Sequence, residues 1–270
     1  GASEPLTRNE TAMKKADPNF MPVYQQIGQY WGDQPGTSGP VYVGAFVMML
    51  FILGLFIVKG GIKWALLAAT ILSILLSWGH NFMPFTNFFL DYIPMYAKFR
   101  TVASILVIAE FTIPLLAMMA LKKIIDEHEI LNKKLKFVYI SFGLTAGFCL
   151  LFLVMPGLFF SDFISAQEMQ AFRQIPQEYL SQMLPNLRAM REAMFDADCW
   201  RSFIIIAIGT LMLLLFKAKK LKETWLVAGI IILCGVDMWG VNKRYLHDDM
   251  FVEASVKDTP ITMTESDKQI

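Results

Sequence analysis

The sequence has few charged residues. Asp, Glu, Lys and Arg make up 17% of its 270 residues, whereas 55% are hydrophobic and the mean hydropathy is +0.47. Soluble domains carry about 25% charged and roughly 45–50% apolar residues. This composition therefore indicates an integral membrane protein. The net charge of +1 gives no sign of a basic surface, and we expect no nucleic-acid partner.

Motifs for metals and nucleotides are also missing. The three cysteines form no CxxC pair, and the three histidines are far apart with no HExxH spacing. We therefore expect no metal site in this chain. There is no P-loop, no GxSxG and no GxGxxG after a strand, which argues against a nucleotide site of the soluble type.

Long apolar runs, by contrast, are abundant. The run 41–58 carries no charge and is long enough to cross a membrane. The run 64–78 is shorter, and tryptophans mark both of its ends, as in an aromatic belt. We predict an all-α polytopic membrane protein whose region 41–240 holds six transmembrane helices, near residues 41–58, 64–78, 101–121, 137–160, 202–216 and 224–240.

The lysines predict the topology. The connections 59–63, 122–136 and 217–222 hold 2, 5 and 4 lysines. The positive-inside rule places these connections in the cytoplasm. Both ends of the chain and the remaining connections then lie on the outer side of the membrane, as segments 1–40, 79–100, 161–201 and 241–270. We read 241–270 as the start of an outer soluble segment.

The segment 79–100, GHNFMPFTNFFLDYIPMYAKFR, is the most unusual connection. It is too polar and too interrupted by proline to be a span, yet too aromatic for a solvated loop. We expect a re-entrant stretch at the membrane–water boundary. Lys98 and Arg100 at its end suit a phosphate group, which arginine binds bidentately. They equally suit anchoring, in which basic side chains extend to the headgroups.

Three further polar residues lie in predicted outer segments. His80 and Asp91 flank the aromatic residues of the 79–100 segment, and sugar sites commonly combine aromatic faces with hydrogen-bonding groups. Plain interfacial anchoring explains both residues as well. Asp33, within YWGDQPGTSG, either contacts a sugar or a cation or bonds to its own backbone in a turn.

Two carboxylates fall inside predicted spans. Glu110 would cost roughly 2.5–3.5 kcal/mol in mid-membrane, so we expect it to face the protein interior, in a functional or a structural role. Asp237 lies nearer the boundary, where it either takes part in function or caps its helix end beside Lys243 and Arg244.

The segment 161–201 has a helical stripe of Met, Phe, Ile, Tyr and Leu with a polar opposite face. We predict amphipathic outer helices lying on the membrane or against other loops, broken at Pro176 and Pro185. Its arginines either form a groove for an acidic substrate or belong to a solvated face; they are Arg173, Arg188 and Arg191.

Several longer motifs resemble one family. YWGDQPGTSGPVYVGA at 30–45, KWALLAATILSILLSWGHNF at 63–82, MYAKFRTVASILVIAEFTIPLL at 95–116 and VDMWGVNKRYL at 236–246 resemble the YfhO-like family of bacterial membrane proteins. That family is similar to the GT-C class of membrane glycosyltransferases. The resemblance implies a protein of the bacterial inner membrane that takes a sugar from a polyprenyl-phosphate donor on the outer face.

The resemblance also sets expectations for the site. GT-C enzymes usually carry their catalytic acid in the first outer loop, and family members have more than six spans. We therefore expect this chain to be a fragment from the C-terminal part of the membrane region, inactive alone, with the catalytic residues upstream. Its expected partners are membrane lipid and the lipid-linked sugar. A need for a divalent metal stays open.

We expect Arg100 to stabilise the leaving phosphate. Two other functions remain open. One is a transporter or flippase for a lipid-linked glycan, with Glu110 and Asp237 as relay or substrate groups; the other is a non-catalytic membrane scaffold.

Overall fold

The protein is an all-α polytopic membrane protein. The computed structural model describes residues 4–32, 41–98, 101–158 and 162–246, together with 251 and 253. These parts of the chain form helices and turns and no strand. The α-helices are α1 (Glu10–Met13), α2 (Met21–Tyr24), α3 (Ala45–Ile57), α4 (Ile62–Ser77), α5 (Met83–Tyr92), α6 (Val107–Asp126), α7 (Ile130–Lys133), α8 (Leu135–Val154), α9 (Ala166–Ala171), α10 (Gln177–Lys217) and α11 (Glu223–Asn242).

Four of the described helices are long and apolar enough to cross a membrane. They are α6 with the 3₁₀ turn before it, α8, α10 and α11. The pair α4 and α5 passes the same test only together, and a bend of 105° separates its two parts. The structure thus supports four spans, or five if the bent pair counts as one, where six were predicted.

Helix α3 is the shortest of the apolar helices and lies at the centre of the bundle. Its 13 residues rise only about 20 Å, which is less than the ~30 Å hydrocarbon core. Side chains on several sides of this helix are buried, among them Phe46, Met49 and Leu53. A helix that is apolar on all sides is typically buried. It packs against α6, α8, α10 and α11.

Glycine determines the bend between α4 and α5. Gly79 has a φ of +51°, and a Cβ there would lie 2.8 Å from Val102 Cγ2. The Thr86 hydroxyl donates to the Gly79 carbonyl over 2.6 Å and closes the bend from the α5 side. Because only glycine fits this backbone and this space, the chain turns here and does not continue as a straight span.

Helix α10 joins the bundle to a second group of segments at one end of it, which we call the outer layer (residues 4–32, α9 and the first half of α10). Its 41 residues extend about 60 Å, twice the thickness of the hydrocarbon core. The helix begins directly after Pro176, which confirms the predicted break there. The second predicted break is wrong, because the helix continues through Pro185. Buried Met183 and Leu187 hold it on both sides of the proline.

The outer layer has its own small core. The N-terminal segment 4–32 packs against the first half of α10, and buried apolar side chains from both parts meet. Ile164 and Phe172, which flank α9, belong to the same core. Asn186 of α10 connects the two parts. Its side chain accepts from the Asp17 amide over 3.0 Å and from the Tyr24 hydroxyl over 2.7 Å, and it donates to the Lys15 carbonyl over 2.8 Å. The segments 1–40 and 161–201 therefore share one side of the bundle within their described parts.

Candidate functional site

The segment 79–98 presents a ridge of aromatic side chains, which we call the aromatic ridge (Phe82, Phe85, Phe88, Phe89 and Tyr92). Neighbouring rings contact each other, with centroids 5.0 Å apart for Phe85 and Phe89 and 5.3 Å apart for Phe88 and Tyr92. The ridge is well exposed, since Phe88 is 52% and Tyr92 is 72% accessible. An exposed apolar surface of this kind in a membrane protein is typical of contact with lipid.

The predicted polar residues of this segment surround the ridge without meeting each other. His80 lies in the 3₁₀ turn Gly79–Phe82, Asp91 in the last turn of α5, and Lys98 at the end of the 3₁₀ turn Tyr96–Lys98. All three are exposed, and no hydrogen bond or ion pair joins them to other described residues. Arg100 and Asp33 lie outside the described residues, so their predicted roles stay predictions.

Asp237 is the most completely bonded of the predicted site residues. It is 2% exposed on α11 and accepts three hydrogen bonds. The Tyr42 hydroxyl donates to both carboxylate oxygens, over 2.9 and 2.8 Å, and the Ala45 amide donates to Oδ2 over 2.9 Å. Asp237 thus caps the N-terminus of α3, where the helix dipole favours a negative charge.

Arg201 of α10 completes this junction. Its Nε lies 4.0 Å from Asp237 Oδ1, and its guanidinium lies over the Tyr42 ring, 5.5 Å from the centroid. The Nε and Nη1 atoms are buried and have no hydrogen-bond partner among the described residues. The junction therefore links three helices, α3, α10 and α11, through one buried carboxylate.

A neighbouring ion pair corrects part of the sequence interpretation. One of the two predictions for Asp237 was a part in function; the other was that it caps its own helix end beside Lys243 and Arg244. Instead it caps α3, and Arg244 forms a bidentate pair with Asp198 of α10, with Nη1 2.7 Å from Oδ2. The physical reason is position: Asp237 lies five residues before the last residue of α11, Asn242, and its side chain is buried, so it does not meet the exposed end of its own helix.

Glu110 lies less deep in its helix than predicted. Helix α6 begins at Val107, so Glu110 is in its first turn, where the helix dipole favours an acid. The side chain is partly buried and makes no hydrogen bond with a described residue. Among the described residues, Glu110 therefore has no partner through which it would act as a relay.

The arginines of α10 are not a solvated face. Arg191 is completely buried and donates to both carboxylate oxygens of Glu168, over 2.8 and 2.6 Å. It also donates to the carbonyls of Phe163 and Gly28, over 2.7 and 3.0 Å. The solvated-face interpretation is wrong for Arg191, which instead ties the N-terminal segment to α10.

Arg188 binds Asp162, also in a bidentate way, with both donor–acceptor distances 2.8 Å. The hydrogen bond from Arg188 lowers the pKa of the Asp162 carboxyl below its usual value. Arg173 is exposed. Two of the three arginines are therefore occupied by partners within the chain, which leaves no arginine-lined groove along this stretch of α10.

No metal-binding cluster appears in the described parts of the chain. No group of three or more His, Cys, Asp or Glu side chains there comes close enough together to hold an ion. The cysteines Cys149, Cys199 and Cys234 are unpaired thiols, as expected of side chains in apolar surroundings.

Sequence reasoning missed the junction partners Tyr42 and Arg201. Tyr42 stands at the start of an apolar run, and Arg201 follows a tryptophan at the predicted membrane boundary. Each looks like an interfacial anchor on its own. The available signal was that the sequence has both a basic residue at a predicted boundary, Arg201, and an acid inside a predicted span, Asp237. This signal does not say which residues pair.

Comparisons with known proteins add no relative. No family model, no curated protein and no solved structure matches the chain. The resemblance to the YfhO-like family therefore stays a prediction that depends on the sequence motifs alone.

Proposed function

We propose that this chain is part of a glycosyltransferase-like protein of the bacterial inner membrane that uses a polyprenyl-phosphate-linked sugar on the outer face. One structural observation supports the proposal most. The bend after α4 turns the chain through 105° and presents an exposed aromatic ridge, followed by a basic side chain. The motif resemblance and the arrangement of lysines between the helices support it as well.

The chemistry of the donor explains why this surface suits it. A polyprenyl-phosphate sugar combines an apolar chain, an anionic phosphate and a hydroxyl-rich headgroup. The exposed rings of Phe88 and Tyr92 would lie against the apolar chain. Lys98, exposed and without a partner among the described residues, would contact the phosphate together with Arg100.

The transfer itself needs two kinds of group. A base takes the proton of the acceptor hydroxyl as that oxygen bonds to the anomeric carbon of the sugar. The bond between that carbon and the phosphate oxygen then breaks, and polyprenyl phosphate leaves with the bonding electrons. Lys98 and Arg100 would stabilise its charge. The base is expected elsewhere in the full-length protein.

The test uses the full-length protein in membranes with radiolabelled polyprenyl-phosphate glucose, mannose and N-acetylglucosamine as donors. Transfer of label to an outer acceptor is the expected result. Lys98→Ala and Arg100→Ala should each raise the donor KM about tenfold or more, since each removes a charge-assisted hydrogen bond of ~1.5 kcal/mol or more. Lys220→Ala, at an exposed lysine of the predicted cytoplasmic side, is the matched control.

A second function has one observation in its favour. The two buried charged residues of the described chain each have an opposite charge nearby, Glu168 for Arg191 and Arg201 for Asp237, and so hold segments of the chain together. This suits a non-catalytic scaffold for an outer domain. A scaffold predicts that Ala replacements of Arg100, Asp91 and Asp33 leave the protein's activity intact. If label is transferred from none of the three donors, that result would contradict the enzyme proposal.

A further inference from the structure

A cavity opens in the outer layer. It has a volume of about 480 Å³ and is lined by Asn19, Phe20, Glu178, Tyr179 and Gln182. Small-molecule sites typically enclose ~300–1,000 Å³. The cavity lies between the 3₁₀ turn Pro18–Phe20 of the N-terminal segment and the first two turns of α10.

The backbone at the edges of this cavity is constrained, and one of its five lining side chains is buried. Phe20 is 6% exposed and belongs to the outer core together with Met183 on the next turn of α10. Pro18 starts the 3₁₀ turn and Pro176 precedes α10, so a proline ring fixes the backbone at each edge. A constrained backbone reduces the entropy that is lost on binding.

Four polar side chains around the cavity have unused hydrogen-bonding capacity. No hydrogen bond or ion pair joins the side chains of Asn19, Glu178, Tyr179 or Gln182 to another described residue. The Asn19 amide N–H donates to Asp17 Oδ1 over 2.9 Å, which fixes the turn and leaves the side-chain amide available. The Glu178 carbonyl accepts from the Ser181 hydroxyl over 2.7 Å, which leaves the carboxylate available.

The chemistry of this set selects one class of ligand. Two side-chain amides both donate and accept, the carboxylate accepts, and the phenol does either. Tyr179 is 60% exposed and offers the apolar face of its ring beside them. A sugar needs this combination, because its hydroxyls donate and accept while its C–H face is apolar. Among the described residues, no lysine, arginine or histidine lines the cavity, so the side chains described there offer an anion no positive charge.

We propose that this cavity binds a neutral sugar unit of a glycan. Tyr179 would stack on the sugar face, and Asn19, Gln182 and Glu178 would bond to its hydroxyls. Tyr179 precedes Trp200, at the predicted membrane boundary, by about 30 Å along α10. The cavity therefore lies too far from the membrane for the reacting end of a lipid-linked donor. A role in holding the distant part of an acceptor glycan rests on the proposed function, whereas sugar binding does not.

The test measures glycan binding to the full chain in a detergent without a sugar headgroup. Saturation-transfer NMR with neutral oligosaccharides of glucose, mannose, galactose and N-acetylglucosamine should detect at least one ligand. Tyr179→Ala and Gln182→Ala should each weaken its binding about tenfold. Two matched controls should bind as the unaltered chain does: Tyr139→Ala, at an exposed tyrosine of α8, and Gln174→Ala, at an exposed glutamine outside the cavity.

Either of two results would overturn this site. One is that no oligosaccharide of the panel binds. The other is that binding is unchanged in both Tyr179→Ala and Gln182→Ala while their thermal unfolding matches that of the unaltered chain. The donor-transfer assay is read separately. Binding without transfer would leave the sugar site in place and remove the transferase. Transfer that is unchanged in Tyr179→Ala would remove only the acceptor-holding role of the site.

Discussion

The membrane bundle and the outer layer are held together in different ways. The bundle core is mainly apolar, and its buried hydroxyls, such as Ser73 and Thr210, bond mostly to carbonyls of their own helix. The outward faces of the bundle are apolar too, as exposed Phe111, Ile232 and Val236 show. The outer layer has a smaller apolar core crossed by charged and side chain–backbone hydrogen bonds. In lipid there is little hydrophobic force between helices, so close packing decides their association. In water, burial drives folding, and polar partners then determine which segments meet.

The junction of Tyr42, Arg201 and Asp237 combines features of the bundle and of the outer layer. It lies where α10 passes from the outer layer into the bundle, and it uses a charge to anchor the N-terminus of an apolar helix. We therefore expect the removal of a charge to lower the stability of the outer layer most and that of the junction next. The stability of the bundle should depend mainly on changes in side-chain volume.

Arg191→Ala should give the largest effect. It removes four hydrogen bonds from a fully buried guanidinium and leaves Glu168 without its partner, which typically costs about 3–5 kcal/mol. Hydrogen exchange should show loss of protection in segment 4–32 and in the first half of α10, while α6 and α8 keep theirs. Arg173→Ala, at an exposed arginine, is the control and should leave exchange unchanged.

Asp237→Ala should give the second-largest effect. It removes the acceptor of Tyr42 and of the Ala45 amide, and it leaves Arg201 without a counter-charge. We expect a loss of about 2–3 kcal/mol, since hydrogen bonds to charged groups contribute ~1.5–3 kcal/mol. Thermal unfolding in detergent measures it. Asp237→Asn, which keeps one acceptor oxygen, should lose less, and an equal loss in both variants would contradict the capping role.

Two glycines of the bundle test the role of volume. A Cβ at Gly209 would overlap the ring of Phe46, whereas a Cβ at Gly143 would meet nothing within 4 Å. Gly209→Ala should therefore destabilise the bundle by about 1–3 kcal/mol. Gly143→Ala should be neutral or stabilise α8 by up to ~1 kcal/mol. Equal melting temperatures for the two variants would show that packing does not control the bundle.

The smallest expected effect concerns pH. The folded-state pKa of Asp162 is lowered by Arg188, so the stability from this pair is fully present above the ordinary aspartate pKa of about 3.9. It is lost as pH falls through the lower, folded value. The pair is partly exposed, so we expect less than about 1 kcal/mol. Asp162→Asn should remove this acid-side loss, which comparison of unfolding at pH 7 and pH 3 would detect.

The sequence predicted local features well and distant pairings poorly. Apolar length and lysine-rich ends located α6, α8 and α11 to within a few residues at most of their ends, because span length depends only on nearby residues. Tyr42 and Asp237 meet across 195 positions, and nothing in either neighbourhood signals the contact. Pro185 was misjudged for a similar reason, since tertiary burial on both sides outweighs its local preference.

We expect the aromatic ridge and the outer layer to face the same side of the membrane, opposite the lysine-rich connections. Single cysteines placed by Lys98→Cys, Glu178→Cys, Lys133→Cys and Lys220→Cys in a cysteine-free chain test it, with a membrane-impermeant maleimide applied to intact cells. We predict labelling at positions 98 and 178 in intact cells, and at positions 133 and 220 only after the cells are opened. Labelling of 98 and 178 from opposite sides would contradict the account.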